Sequence, residues 1–270
     1  MAYALGIDVG SGYSKAVICE DKAIRSYAIA PSGGNYQETA RNVAEEVLKK
    51  INLTLEDICF TLATGYGAAM VPFANSTATD ISCHAAGIHL VFPSVRTLID
   101  IGAQFSKVIR LDDAGRTLSF LLNEKCAGGS GKFLQVIARI LHMGIDEIGP
   151  RSLASSNPVQ FTTGCAVFAE SEAVSRIAEG ACAEDILAGI HKAMASKIVN
   201  LVTRIGLVGA CAVTGGGAKD VGLVKTIESE LNIEVLTPHD PQITAALGAA
   251  LLALRMVSLN GGDKESEKRI

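Results

Sequence analysis

Short apolar stretches alternate with amphipathic segments along most of the chain. Apolar runs bounded by glycine or polar turns predict strands at Cys59–Ala63, Leu98–Ile101 and Ala210–Thr214. Segments with apolar residues three and four positions apart predict helices. The predicted helices are Glu38–Lys50, Lys132–His142, Phe168–Glu179, Ala183–Ile205 and Gly222–Leu231. This alternation of strand and helix is typical of the α/β class.

One sequence pattern occurs twice. Residues 7–15 read IDVGSGYSK and residues 99–107 read IDIGAQFSK, and an apolar stretch lies on either side of each copy. This arrangement predicts a strand, a tight glycine turn and a second strand, and a further turn follows. The two copies predict two related halves around a cleft. We expect the first half at residues 1–97 and the second at 98–257, with a final helix at 243–257 packing back between the halves and a disordered tail at 258–270.

Composition narrows the class of protein. The chain has 24 Lys+Arg and 28 Asp+Glu, a net charge of −4, so it has no basic surface for nucleic acid. The apolar run Ile243–Leu259 contains Gly248 and Arg255 and predicts a buried helix rather than a membrane span. No signal peptide is visible, and seven cysteines without one favour a reducing compartment. We therefore expect a cytoplasmic protein without a membrane partner.

An aspartate precedes the glycine turn in both copies of the repeat. Asp8 and Asp100 each stand between apolar strand residues, and a buried carboxylate needs a compensating partner. A hydrated Mg2+ between carboxylates and phosphates is one such partner. The backbone N–H groups of Gly10-Ser11-Gly12 and Gly102-Ala103-Gln104 are suited to phosphate oxygens. A hairpin turn capped by Asp explains either turn alone, but the duplication favours phosphate binding.

A third glycine cluster, Gly215-Gly216-Gly217, follows the predicted strand Ala210–Thr214. Glycines lack Cβ, so a flat base or a ribose could approach the backbone closely there. Neither GxGxxG nor GxxxxGK[ST] occurs in the chain, so the Rossmann and P-loop interpretations fail.

Together the three turns resemble the phosphate-1, phosphate-2 and adenosine motifs of the actin, sugar-kinase and heat-shock-chaperone ATPase superfamily. The resemblance implies ATP or ADP with Mg2+ in a cleft between two ribonuclease-H-like halves. It also implies catalytic roles for Asp8, Asp100 and Gln104. The implied nucleotide-binding residues are Gly10, Ser11, Gly12, Lys15, Gly102, Gly215, Gly216 and Gly217.

Two of the cysteines differ from the others in their setting. Cys126 lies in a glycine-rich segment, and Cys126 and Cys165 each come just before a predicted helix. A helix N-terminus stabilises a thiolate and an anionic cofactor, which is what an iron–sulfur cluster requires. Because a 4Fe-4S cluster normally takes four cysteines, two chains about a two-fold axis would supply the set.

The simplest interpretation of the remaining cysteines is that they are small core residues. We expect this of Cys19, Cys59 and Cys211, and of Cys182 as well. Cys83 is followed by His84, but one adjacent pair is weak support for a metal site, so we expect Cys83 to be structural too.

Four segments make the resemblance narrower: LATGYG at 62–67, DISCHAAG at 80–87, KCAGGSGKFL at 125–134 and GCAVFAESE at 164–172. They are similar to the activator ATPases of 2-hydroxyacyl-CoA dehydratases and the ATPase subunits of class I benzoyl-CoA reductase. The resemblance implies an oxygen-sensitive, ATP-driven electron carrier with one 4Fe-4S cluster between two identical or homologous subunits, held by Cys126 and Cys165. It implies ferredoxin or flavodoxin as electron source and an acyl-CoA dehydratase or reductase as acceptor. Glu170, five residues after Cys165, is expected to contact the nucleotide and to couple it to the cluster.

One departure bears on the choice within this family. The usual phosphate-2 motif reads IDIGGQD, whereas this chain has Ala103 and Phe105 in place of the second glycine and the acid. Benzoyl-CoA reductases pair unlike ATPase subunits, one of which deviates here, so the departure and Asn157-Pro158 favour a reductase subunit. A homodimeric dehydratase activator is the alternative. A small-molecule kinase or an ATP-binding regulator of the same fold are alternatives from other classes.

Overall fold

A computed structural model describes residues 2–123, 127–161 and 166–266, and the chain divides into two units. Unit 1 comprises Met1–Pro93, Asp113–Thr117 and Ile243–Ile270. Unit 2 comprises Ser94–Asp112 and Leu118–Gln242. The chain therefore leaves unit 1 at Pro93, returns to it briefly at Asp113–Thr117 and returns again for its last long helix.

The described residues form ten strands and eight α-helices. The strands are β1 (Tyr3–Val9), β2 (Tyr13–Glu20), β3 (Ala23–Pro31), β4 (Ile58–Thr64), β5 (Ser76–Thr77), β6 (Val95–Ile101), β7 (Ser106–Leu111), β8 (Thr117–Leu122), β9 (Ala210–Thr214) and β10 (Val235–Leu236). The helices are α1 (Tyr36–Lys49), α2 (Asp80–Val91), α3 (Gly131–Ile140), α4 (Ile148–Ser152), α5 (Ala166–Ala178), α6 (Ala183–Ile205), α7 (Val221–Leu231) and α8 (Thr244–Ser266).

Both units contain a five-stranded sheet with the same topology. The strand order is β3-β2-β1-β4-β5 in unit 1 and β10-β9-β6-β7-β8 in unit 2. In each sheet the central strand, β1 or β6, pairs antiparallel with the next strand of the repeat and parallel with a strand that arrives later, β4 or β9. The duplication inferred from nine residues thus extends to the whole sheet, and the predicted α/β class with two related halves is confirmed.

The helices bury one apolar face against these sheets. In α1 the residues Ala40, Val43, Ala44 and Val47 are buried, at the three- and four-residue spacing that predicts an amphipathic helix. The Asn35 side chain accepts a hydrogen bond from the Glu38 backbone N–H and so caps the start of α1. In unit 2, helices α3, α6 and α7 surround a core that also contains β6 and β9 side chains.

Helix α8 packs so tightly within unit 1 that glycine is required at its contacts. A Cβ on Gly248 would overlap the Cys83 carbonyl oxygen of α2 and lie 2.9 Å from the Gly87 amide nitrogen. On β1, a Cβ at Gly6 would overlap the Ala246 carbonyl of α8. The segment Pro241–Leu259 has the length and composition of a membrane span, but 56% of its most apolar window is buried, as in the core helix of a globular unit.

The predicted strands and helices are all confirmed, and apart from the C-terminal end of α8 their ends shift by three residues at most. Helices α2 and α4 were not predicted. Helix α2 is apolar on more than one side because it packs against α8 and β4, so it lacks the amphipathic period. Helix α8 continues to Ser266, into the segment whose composition had predicted disorder, and residues 267–270 lie outside the described part of the chain.

The close approach of α8 to α2 leads to a stability prediction. Replacing Gly248→Ala places a methyl group against backbone atoms, which costs about 3 kcal/mol, and better helix propensity offsets about 1 kcal/mol. We expect the free energy of unfolding in urea to fall by about 2 kcal/mol. Gly34→Ala is the control, because a Cβ there has no atom within 4 Å. Equal stability of the two variants would contradict the packing argument.

Candidate functional site

The central strand of each sheet ends in a buried aspartate that is paired with a lysine. Asp8 is 6% exposed, and Lys15 Nζ lies 2.8 Å from its Oδ2. Asp100 is 2% exposed, and Lys107 Nζ lies 3.0 Å from its Oδ2. In both hairpins the lysine is the direct cross-strand partner of the aspartate. From the sequence the compensating charge was expected to be Mg2+, whereas the structure places a lysine beside each carboxylate.

The turn that follows each aspartate is closed by a backbone hydrogen bond. The Gly10 N–H donates to the Tyr13 carbonyl at 3.1 Å, and the Gly102 N–H donates to the Phe105 carbonyl at 2.9 Å. A Cβ on Gly10 or Gly102 would lie 2.8 or 3.0 Å from the same carbonyl oxygen. The two predicted glycine turns are therefore equivalent in geometry as well as in sequence.

A second glycine turn meets each aspartate from the parallel strand. Thr64 at the end of β4 pairs with Asp8, and Thr214 at the end of β9 pairs with Asp100. The next residues, Gly65 and Gly215, have φ of +85° and +82°. A Cβ on either would overlap Oδ1 of the neighbouring aspartate, so glycine is required there both by backbone conformation and by space.

This second turn also belongs to the repeat, although the sequence predictions did not connect it. Both turns read Thr-Gly-x-Gly, at 64–67 and 214–217. The third position of each turn distinguishes the two units: Tyr66 is 74% exposed, with its ring edge-to-face on Tyr36 at 6.0 Å, while Gly216 lies in open space. The nearest atom to a Cβ on Gly216 would be Gln242 Nε2, at 3.9 Å. Because Gly216 has no side chain, the backbone at the third position of the unit 2 turn is uncovered, whereas Tyr66 occupies that position in unit 1.

Helix α3 begins directly against the glycine turn of unit 2. The Gly131 N–H donates to the Gly102 carbonyl and the Lys132 N–H donates to the Ala103 carbonyl, both at 2.9 Å. Ser106 Oγ at the start of β7 donates to the Gly129 carbonyl. The residues that follow Cys126 are thus fixed to the turn at 102–104. Cys126 and Cys165 themselves lie outside the described residues.

The other predicted site residues lie at the surface of their units. Gln104 and Phe105 are exposed on the β6–β7 turn, and Glu170 is exposed on α5. Among residues 2–123, 127–161 and 166–266, three or more His, Cys, Asp or Glu side chains do not come together as a metal site.

The cysteines in the described part of the chain fall into two groups. Cys19, Cys83 and Cys211 are buried, and burial raises the pKa of each thiol to about 12, so they stay neutral core residues, as predicted. Cys59 and Cys182 are exposed. The prediction that these two are core residues was wrong. Cys59 lies near the start of β4, where the strand is not buried, and Cys182 lies at the N-cap of α6.

The sequence pattern of the BadF/BadG/BcrA/BcrD ATPase family matches residues 5–253. The chain belongs to this family. The 2-hydroxyisocaproyl-CoA dehydratase activator of Clostridioides difficile is 40% identical over 99% of this chain and 98% of that protein. One of the benzoyl-CoA reductase subunits of Thauera aromatica is 32% identical over 93% of each chain.

Two solved structures share the fold over nearly the whole length. Component A of the Acidaminococcus fermentans (R)-2-hydroxyglutaryl-CoA dehydratase superposes with a TM-score of 0.92 at 38% identity, covering 96% of this chain and 100% of that one. The Clostridium difficile activator with bound ADPNP superposes with a TM-score of 0.91 at 40% identity, covering 99% and 98%. These similarities favour the dehydratase activators over the reductase component that Ala103 and Phe105 had suggested.

The buried lysine–aspartate pair of unit 2 leads to a test of the site's construction. Replacing Lys107→Met leaves the Asp100 carboxylate without its cation, which costs about 3 kcal/mol for a buried pair. We expect that loss in the free energy of unfolding, measured in urea at pH 7. Lys225→Met is the matched control, because its pair with Glu228 is at the surface, and it should leave stability nearly unchanged. Similar values for the two variants would show that Lys107 does not compensate Asp100.

Proposed function

We propose that this protein is an ATP-hydrolysing iron–sulfur electron carrier that activates a 2-hydroxyacyl-CoA dehydratase. The observation that carries the proposal is the 40% identity, over 99% of the chain, to a protein named as an activator of such an enzyme. The duplicated aspartate and glycine turns supply the physical basis for nucleotide chemistry.

The two aspartates and their turns are suited to the phosphates of ATP. In each pair the lysine contacts Oδ2, while Oδ1 faces the glycine turn of the parallel strand. A carboxylate oxygen beside glycine amides fits a hydrated Mg2+ bound to phosphates, and such an ion would neutralise phosphate charge. The phosphate-binding residues are then Asp8, Gly10, Ser11, Gly12 and Lys15 in unit 1, and Asp100, Gly102 and Gln104 in unit 2.

Adenosine is assigned to the unit 2 turn at Gly215, Gly216 and Gly217. The open space over Gly216 supports this assignment, because a flat ring needs uncovered backbone. The exposed amide of Gln104 is suited to orient the water that attacks the terminal phosphate. Phe105 next to it cannot act as an acid or a base, so Asp8, Asp100 and Gln104 are the candidate catalytic residues.

Cys126 and Cys165 are proposed to hold half of a 4Fe-4S cluster, with a second copy of the chain holding the other half. The hydrogen bonds from Gly131 and Lys132 to the turn at 102–104 support coupling, because a change at the phosphates would move the start of α3 and the residues next to Cys126. Such a change in surroundings alters a cluster's potential. Glu170 on α5 is the corresponding candidate beside Cys165.

An ATPase component of a benzoyl-CoA reductase remains the second candidate. The observation in its favour is that Ala103 and Phe105 replace the second glycine and the acid of the usual IDIGGQD motif. Both groups of relatives would use this turn for phosphate. Either function takes an electron from a ferredoxin or flavodoxin, and the two differ in the acyl-CoA enzyme that receives it.

The choice between the two functions is tested by reconstitution. The full chain, purified without oxygen and reduced with dithionite, is mixed with a 2-hydroxyacyl-CoA dehydratase or with the catalytic subunits of a benzoyl-CoA reductase. We expect ATP-dependent formation of enoyl-CoA with the dehydratase, and a loss of roughly tenfold or more when ADPNP replaces ATP, because hydrolysis drives the transfer. Activation that does not need ATP, or reduction of benzoyl-CoA alone, would contradict the proposal.

The cluster assignment is tested by iron and acid-labile sulfide analysis after anaerobic purification. A cluster shared by two chains gives about two irons per chain. We expect this value in the wild type and a loss of most iron in Cys126→Ala and Cys165→Ala. Cys182→Ala is the matched control, because Cys182 is exposed but has no assigned ligand role. A wild-type protein that is folded and hydrolyses ATP but contains no iron would contradict the cluster assignment. The proposed ATPase activity would then still stand.

A further inference from the structure

Three polar side chains are buried inside unit 2, adjacent to the turn assigned to adenosine. They are Ser152 at the end of α4, His191 in the middle of α6 and Asp220 at the start of α7, with exposed fractions of 6%, 0% and 8%. His191 Nδ1 lies 2.9 Å from Ser152 Oγ, and His191 Nε2 lies 2.9 Å from Asp220 Oδ2. No ligand spacing in the sequence had pointed to a function for His191.

Two glycines make room for this network. A Cβ on Gly222 would overlap Ser152 Oγ and lie 2.9 Å from His191 Nδ1. A Cβ on Gly149 would lie 2.7 Å from Asp220 Oδ1. Residues without Cβ at both positions let α4, α6 and α7 approach closely enough for the three side chains to meet.

The hydrogen bonds fix where the protons of the network lie. Ser152 Oγ donates to the Gly149 carbonyl at 2.7 Å, so it accepts from His191 Nδ1. The remaining nitrogen, Nε2, faces a carboxylate oxygen and attracts it only when protonated. The Nε2–Oδ2 contact is a close approach of 2.9 Å between two buried polar atoms and is too poorly aligned for a hydrogen bond. The Ser152 hydroxyl already donates its proton to the Gly149 carbonyl, and the His191 ring is not exposed to solvent. These three side chains are therefore not a hydrolytic triad.

Asp220 connects the network to the adenosine turn. Its Oδ1 accepts from the Leu223 N–H at 3.0 Å and caps α7. Its backbone N–H donates to the Gly217 carbonyl at 3.2 Å, and the Ala218 N–H donates to the Gly215 carbonyl at 3.2 Å. The segment between Gly215 and Asp220 is therefore a short helical turn. Asp220 is buried and lies at its C-terminal end.

We propose that His191 is a positioning residue for the nucleotide: by holding Asp220 it keeps the Gly215–Gly217 turn in the shape that accepts the adenosine of ATP or ADP. This inference rests on the proposed nucleotide-binding function and adds a residue to it. The glycines alone do not define the turn, since three residues without side chains have wide conformational freedom. The buried contact between His191 and Asp220 supplies the missing constraint, because Asp220 makes no ion-pair contact with any other side chain among the described residues.

The test compares ADP binding by calorimetry and unfolding temperature in the full chain. We expect His191→Leu to raise the Kd for ADP about tenfold, because it leaves the Asp220 carboxylate buried and unpaired. In ATP hydrolysis the same variant should raise KM about tenfold and change kcat less than about twofold, because Asp8, Asp100 and Gln104 are untouched. The double variant His191→Leu/Asp220→Asn removes the buried carboxylate together with the imidazole and keeps the cap on α7, so its Kd should return to within about threefold of wild type.

The control is Ile227→Ala, a fully buried position of α7 in the same core with no polar contact. It should lower the unfolding temperature but leave the Kd within about twofold of wild type. If His191→Leu fails to fold, His191→Gln keeps a donor towards Asp220 and should raise the Kd about threefold. Equal Kd values for the His191 variant and Ile227→Ala, or no recovery in the double variant, would overturn the positioning role. A wild type that does not bind ADP would instead reject the proposed function.

Discussion

Two buried carboxylates, Asp8 and Asp100, impose the constraint around which both units are built. Each must sit at the end of a central strand beside a cation, because a lone buried carboxylate is strongly unfavourable. The hairpin supplies that cation from the neighbouring strand, as Lys15 or Lys107. The parallel strand must then end in a glycine, because a side chain at Gly65 or Gly215 would overlap the carboxylate. The cross-strand lysine and the placement of glycine both follow from this arrangement.

The two copies of this framework differ in the turn that follows the parallel strand. Tyr66 covers the third position of the Thr-Gly-x-Gly turn in unit 1, whereas Gly216 leaves it open in unit 2. Next to this turn three buried polar side chains, Ser152, His191 and Asp220, are in contact with one another. A turn made of glycines needs such external support, since its own residues add no side-chain contacts. The two copies thus differ in that one turn has a glycine where the other has a tyrosine, and buried polar contacts lie next to the glycine turn.

Backbone hydrogen bonds connect the turn at 102–104 to the start of helix α3. Two backbone hydrogen bonds tie Gly131 and Lys132 to the turn at 102–104, and backbone bonds cannot be removed by changing a side chain. This explains why Ala103 can replace glycine here without loss of the connection, since only its carbonyl is used. The departures at Ala103 and Phe105 are therefore compatible with an activator, the group of relatives to which the identity over the full chain points.

The sequence by itself determined the elements and the duplication. Short apolar stretches around the glycine turns marked β1, β2, β6 and β7, and the nine-residue repeat marked both aspartates. Helical spacing marked α1, α3, α5, α6 and α7. These features depend on neighbours a few residues apart, so the order of residues carries them. Helix α2 was missed because burial on several sides removes the amphipathic period.

Only the tertiary structure decided which groups neutralise, cap and cover one another. Gly65 meets Asp8 across a parallel strand pair, and His191 meets Asp220 from a different helix. Such contacts join residues far apart in the chain, so no local pattern of residue types encodes them. The physical reason is that burial of a charge fixes the need for a partner, while strand register and helix packing determine which residue is close enough to be that partner.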